Sequence, residues 1–406
     1  MSSRQKVETL FEPNNKPYAL EGVKVVEISY TNFAAQIAAA ILCELGADVI
    51  KIEPLGGDPS RYVTPYGVLI DEKVGIPYFI ENRCKNIVEI DFNNEKEKIL
   101  DYVKQSDIII DGYKPGELDH LGVGYRQIQN INHDIIYVAI SPFGSFGELA
   151  EKYSNIPYSD LTAQAYNGYP TLIGNPYLQG EKYQYPLRAG IWVATIMAGV
   201  QAAISALVAL YWREISGEGQ FIDVAVNEVL SAVHLVPYIV GFFFEKHREK
   251  YGLLDYIIYP FGYYKTADGY VSIATPTDAD FRALLKILGL WKIEPDWRFA
   301  IDRISDDVER IKELDEKLRQ AASKYSSKKL IEKIIRYIQL YRKIPVLKFI
   351  ERHVGAPVVV ELYPLKRVLE ERHWYVRKSL QVVRIGERDV VLPASPFKFS
   401  ATRTKT

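Results

Sequence analysis

Residues 22–53 read GVKVVEISYTNFAAQIAAAILCELGADVIKIE. VKVVEIS is apolar and β-branched, AAQIAAAILCELG has the composition of a helix, and DVIKIE is a second β-branched run. This is a βαβ unit, whose two strands run parallel because the helix carries the chain back to the starting end. The pattern recurs in altered form as IVEIDF, the charged helix NNEKEKILDYVKQ, the strand DIIID, and IIYVAIS at 135–141. Strands alternating with helices at this spacing predict an α/β fold around a mostly parallel sheet with helices on its faces.

Further on, RAGIWVATIMAGVQAAISALVALYW (188–212) carries no ionisable side chain between Arg188 and Arg213. It is long enough to cross a bilayer, which takes about 20 apolar residues. Ala194, Ala198, Ala202 and Ala206 recur every four residues, however, a small-residue stripe that suits close helix packing, and no second comparable run follows. The stretch therefore reads as a core helix. After the turn SGEGQ (216–220) come an apolar segment and the exposed charge run KHREK at 246–250. YPFGYYKTADGYVSIAT then reads as two antiparallel strands joined around Ala267, Asp268 and Gly269. Charged helices continue to about residue 338, and APVVVEL, LQVVRI and DVVLPA return to strand composition.

At 406 residues the chain exceeds what one core usually serves, so two domains are expected. Fifty basic and 51 acidic residues leave a net charge of -1, which gives no field to attract nucleic acid or acidic lipid. Neither of the two cysteines, Cys43 and Cys84, sits in a CxxC spacing; Cys84 reads as a packed thiol, and a reducing compartment is the simpler setting. The N-terminal residues lack an apolar core and a cleavage pattern, so a cytoplasmic protein is expected. The first strand is followed by YTNFAAQ rather than a glycine-rich loop, which removes the usual dinucleotide fingerprint, and no Walker loop, HExxH helix or GxSxG elbow occurs. The six histidines show no ligand spacing, so no metal is expected.

Taken in order, LEGVKVVEIS, CELGADVIKIEPLGGDPSRY, ENRCKNIVEIDF, SDIIIDGYKPGELDHLGVGYRQI, ISPFGSFGE, YSDLTAQAYNG, REISGEGQFIDVAV, FGYYKTADGYVSIA and LPASPFKFSAT resemble the class III CoA-transferases. That group contains formyl-CoA transferase, carnitine CoA-transferase and the α-methylacyl-CoA racemases. The resemblance runs from about residue 19 to 402. It implies a Rossmann-like large domain built from both chain ends, a smaller inserted α+β domain, and an interlocked dimer. The corresponding division is an N-terminal extension (1–18), the first part of the large domain with the long buried helix (19–220), a linker and small domain (221–338), and a return to the large domain (339–406). Coenzyme A, as acyl-CoA, is the implied ligand, with a carboxylic acid as second substrate.

In the transferases an Asp near the start of the long helix attacks the thioester and forms a mixed anhydride. Here that position falls on Thr195, and no Asp or Glu lies between Lys182 and Arg213. A threonine hydroxyl needs an adjacent base to act as nucleophile, and the ester it would form is not activated as an anhydride is. The racemases use a His and Asp pair; Ser159 stands at the His position, followed by Asp160, which is the candidate substitute acid. Its other reading is a turn or cap residue before LTAQAY. The resemblance further places Asn32 and Phe33 of the first βα turn near the thioester, Tyr113 against adenine, and His120 where formyl-CoA transferase has an arginine. Arg61 and Lys85 fall in matching motifs, as contacts to CoA phosphates or as structural ion pairs. Two classes of function follow: an active acyl-CoA enzyme, transferase or racemase-like, or the silent subunit of a heteromeric CoA-transferase whose paralogous partner carries the Asp. Low Met with abundant Ile, Tyr, Lys and Glu hints at a thermophilic source.

Overall fold

In the computed structural model, which describes residues 9–12, 15–70, 73–154, 159–174, 185–233, 239, 241–243, 245, 259–290, 308–340, 355–385 and 387–405, the β-branched runs form one parallel sheet. Its strands are β1 (Lys24–Ser29), β2 (Asp48–Glu53), β3 (Asn86–Glu89), β4 (Ile108–Gly112), β5 (Ile136–Ser141) and β6 (Gln220–Ala225). The order across the sheet is β3-β2-β1-β4-β5-β6, and every neighbouring pair is parallel. Sequence reading anticipates the first five strands; β6 follows SGEGQ directly and adds itself beside β5 with Gln220 opposite Ile136. The chain winds outward from β1 to β3 and then crosses back to β4. Connections therefore leave β1 and β4 in opposite directions, which opens a crevice at their C-terminal ends.

Helices on the sheet faces are α1 (Phe33–Glu44), α2 (Ile76–Asn82), α3 (Lys96–Lys104), α4 (Asp160–Tyr166), α5 (Val193–Ser216) and α6 (Val226–Val233). The alanine stripe of α5 is buried as predicted, with Ala194, Ala198, Ala202 and Ala206 packed in one apolar core with Ala34, Ala35 and Ala38 of α1. Gly199 marks the closest approach: a Cβ there would lie 2.7 Å from the Ile37 side chain and 2.8 Å from the Ala34 carbonyl. The opposite face is a different surface. Ile196, Ile204, Val208, Tyr211, Trp212 and Ile215 all stand exposed, so α5 is apolar all round but buried on one side. By length and composition it is also the one helix among the described residues that could cross a membrane.

Two compact units divide the chain: residues 1–169, 188–239 and 371–406 in the first, 170–187 and 240–370 in the second. The second holds an antiparallel sheet of β7 (Phe261–Lys265), β8 (Tyr270–Ala274) and β9 (Val358–Glu361), in the order β9-β8-β7. Helices α7 (Asp278–Leu288), α8 (Val308–Ser323) and α9 (Ser327–Leu340) accompany it. The β7–β8 hairpin turns where Ala267, Asp268 and Gly269 predict it. Strand β9, which the sequence reading places in the returning segment, pairs instead with β8, Ser272 opposite Val360. A closing hairpin of β10 (Leu380–Ile385) and β11 (Arg388–Pro393) belongs to the first unit. The run KHREK lies outside the described residues.

One expectation is corrected. Cys84 is not a lone packed thiol: it is joined to Cys43 in a disulfide, with Cα atoms 6.3 Å apart. The two are 41 residues apart in the chain, so no local spacing could announce the pairing.

Candidate functional site

The crevice left by the reversal of strand order is a cleft of roughly 260 Å³. Three strand ends build it: Tyr30, Thr31 and Asn32 after β1, Gly112, Tyr113 and Lys114 after β4, and Ser141, Pro142 and Phe143 in and after β5. Aromatic rings supply much of the wall, with Tyr30 and Tyr113 centroids 5.9 Å apart and Phe92 behind Tyr113 at the same distance. On the other side Phe143 meets Tyr153 at 5.1 Å. Charge is confined to the rim, where Lys114 and Glu117 are exposed.

Asn32 ties the floor together. Its Oδ1 accepts from the N–H groups of Ala34 and Ala35 at 3.1 and 3.3 Å, capping α1. Its Nδ2 donates to the carbonyls of Gly112 and Ile140 at 3.2 and 3.0 Å. The amide is thus committed to the protein, and Asn32 meets the cleft as structure. Its neighbour Thr31 has φ of +54°, the left-handed region in which a β-branched residue is strained by roughly 1–3 kcal/mol. The turn is held by Asp58, whose Oδ1 accepts the Thr31 N–H at 3.1 Å. Phe33 does not line the cleft; it packs on Trp192, centroids 5.0 Å apart.

The Tyr113 turn is held in a similar way. Asp111 Oδ1 accepts the Tyr113 N–H at 2.8 Å and Oδ2 accepts the Tyr137 hydroxyl at 2.7 Å. Burial pushes the Asp111 carboxyl up to about 7, although both hydrogen bonds oppose the shift. His120 is exposed and lies apart from the cleft lining.

Lys85 and Arg61 point elsewhere. Lys85 is fully buried and spends its three protons on Glu27 (2.7 Å), the Gln36 carbonyl (2.8 Å) and Asn82 (3.0 Å). Lys51, equally buried, donates to the other Glu27 oxygen at 2.7 Å, to Ser29 at 2.8 Å and to Asp58 at 3.4 Å. Burial alone would raise the Glu27 carboxyl; the two lysines reverse this and hold it at about 2. Arg61 closes the cluster, binding Glu53 at 2.6 Å and reaching Glu89 at 3.6 Å. Of the expected cationic contacts to phosphate, Lys85 is removed by its burial, and Arg61 is engaged in ion pairs. Lys114 stands at the rim instead, a residue the sequence reading quoted within GYKPGELDH without assigning it a role.

Asp160 and Thr195 come together, away from that lining. Asp160 opens α4, and its Oδ1 accepts the Thr195 N–H at 2.9 Å while Oδ2 accepts from Gln164 at 2.5 Å. Gln164 Oε1 in turn accepts the Ala189 N–H at 3.0 Å. The pair anchors the segment leading into α5 and satisfies one of the free N–H groups of its first turn. Thr195 itself is 2% exposed.

Comparison with known proteins gives a consistent picture. A model of CoA-transferase family III matches residues 20–406. The chain is 32% identical over 308 residues to the succinate–glutarate CoA-transferase of Agrobacterium fabrum, covering 73% of each protein. It is 27% identical over 292 residues to the succinyl-CoA:mesaconate CoA-transferase of Haloarcula hispanica, covering 71% of this chain and 72% of that one. With the succinyl-CoA–L-malate CoA-transferase alpha subunit of Chloroflexus aurantiacus it shares 32% identity over 278 residues, 66% of this chain and 61% of the subunit. Among solved structures, a CaiB/BaiF family protein from Brucella suis has the same fold, with a TM-score of 0.74, 24% identity, and 96% and 95% of the two chains covered.

Proposed function

The chain belongs to CoA-transferase family III, and from that premise we propose that it is the CoA-ester-binding subunit of a transferase that moves CoA between carboxylic acids, the nucleophilic carboxylate coming from a paralogous partner chain. The reaction needs a carboxylate to attack the thioester carbon, expel CoA thiolate and hold the acyl group as an anhydride until the acceptor acid arrives. One observation carries the assignment. At the start of α5 the side chain is Thr195, and the nearby acid, Asp160, has both oxygens engaged in holding the backbone of that segment.

Two further features support the reading. The cleft lies at the carboxyl ends of β1, β4 and β5, on the switch point where open parallel sheets bind ligands; its exposed Lys114 suits the phosphates of CoA and its rings suit adenine. The exposed apolar face of α5 is the surface a partner chain would cover in an interlocked pair. Succinyl-CoA is the first donor to try, because the names of several relatives share the succinyl group.

The test uses the purified chain, succinyl-CoA and hydroxylamine or borohydride trapping, with intact-mass readout. The expected result is CoA binding with no adduct and no exchange, and exchange on co-expression with a paralogue carrying Asp at the position of Thr195. An adduct mapped to Asp160 or to any other acid of the lone chain would make this an active transferase by itself and end the proposal.

A further inference from the structure

At the end of β5, Ser141 lines the cleft and is 2% exposed, yet its Oγ has no hydrogen-bond partner among the described residues. A buried hydroxyl without a partner is costly, on the same scale as a lost hydrogen bond, and calls for an explanation. The polar groups around it are already engaged: the Asn32 amide with four backbone groups, the Thr31 N–H with Asp58, the Tyr113 N–H with Asp111, and both Ser145 donors with Asp223 at 2.8 and 3.0 Å. Ser141 is the neutral polar group that this floor leaves open.

From this geometry we infer that the Ser141 hydroxyl is a ligand contact, hydrogen-bonding an amide of the pantetheine arm of CoA. The inference rests on the reading of the cleft as the CoA site and adds to it a residue and an orientation. Charge sits at the rim, on Lys114 and Glu117, while the floor is aromatic and neutral. A ligand that is anionic at one end and carries uncharged amides at the other matches that gradient with its phosphates outward and its arm inward. A hydroxyl can donate to an amide carbonyl or accept from an amide N–H, and neither bond requires burying a charge.

Calorimetric titration of the full chain with CoA, 4′-phosphopantetheine and adenosine 3′,5′-bisphosphate separates the possibilities. Ser141→Ala is expected to weaken CoA and 4′-phosphopantetheine by about 2- to 10-fold, the usual worth of one hydrogen bond, to leave the bisphosphate unchanged, and to leave the melting temperature equal or higher. Should the alanine variant fail to fold, Ser141→Cys, which keeps the side chain's shape with a much weaker donor, takes its place. Unchanged affinity for all three ligands overturns the inference while the CoA site stands; equal weakening of the bisphosphate also overturns it, since the contact would then be to the nucleotide. Failure of the wild-type chain to bind CoA at all would remove the reading of the cleft, and Ser141 with it.

Discussion

The two sides of β1 bury polar groups in opposite styles. Toward β2, Glu27, Lys51, Lys85, Asp58 and Glu53 form a cluster in which each lysine proton has an acceptor. Toward β4 and β5, the strand ends carry aromatic rings, a strained Thr31 and one hydroxyl with no partner. The first region is complete by itself, and completeness is what a structural cluster needs, since an unmatched buried charge is expensive. The second is complete only with something added. Satisfaction, rather than charge, separates the part of the sheet that holds the fold from the part that faces a ligand.

The largest expected effect comes from breaking the complete side. Lys85→Met leaves Glu27 one cation short in a fully buried site and should cost about 3–5 kcal/mol in denaturant unfolding; a loss below about 1 kcal/mol would show that the cluster adds little. The sign with pH is fixed by the depressed Glu27 carboxyl: its contribution is present above the ordinary value of 4.5 and is lost as pH falls through about 2.

Asp111 has the opposite sign. Its carboxyl is raised from 3.8 to about 7, so its contribution is full below the unfolded value and disappears as pH rises through 7. Asp111→Asn should therefore be more stable than wild type at pH 8, by roughly 2–4 kcal/mol, with the two stability curves converging toward pH 4. Parallel curves would rule out Asp111 as the titrating group. A smaller loss, about 1–2 kcal/mol, is expected for Asp160→Ala, which strips an acceptor from the first turn of α5; CoA affinity should hold, and a large fall in affinity would tie Asp160 to the ligand after all. The smallest effect is a gain. Thr31→Asn, with a side chain better tolerated at positive φ, should raise stability by about 1 kcal/mol, and no gain would mean that the turn stores no strain.

Much of the first unit was legible because its signals are local. VKVVEIS, DVIKIE, DIIID and IIYVAIS announce their strands by composition, and the alanine stripe of α5 announces close packing. The same stripe did not reveal that the other face of α5 is exposed, because an all-apolar helix carries no polar side to mark solvent. Lys85 was read as a phosphate contact from its motif; its true partner, Glu27, lies 58 residues earlier, and no short-range pattern records which way a lysine turns. Glu27 and Lys51 did leave a trace, as single charges inside VVEIS and VIKIE, where an apolar strand face would otherwise continue. Thr31 and Ser141 left none: a positive φ on a β-branched residue contradicts local preference, and an unpartnered hydroxyl is defined by what surrounds it in three dimensions.

Asn32 has one more consequence. By bonding α1, the end of β4 and the end of β5 at once, a single amide fixes the spacing of the three elements that bound the cleft. The entropy of shaping that floor is therefore given up once, when the chain folds, and not again at each encounter with a ligand. Exchange of one ligand for another can then proceed over a rigid base, with rearrangement left to the exposed rings and side chains of the rim.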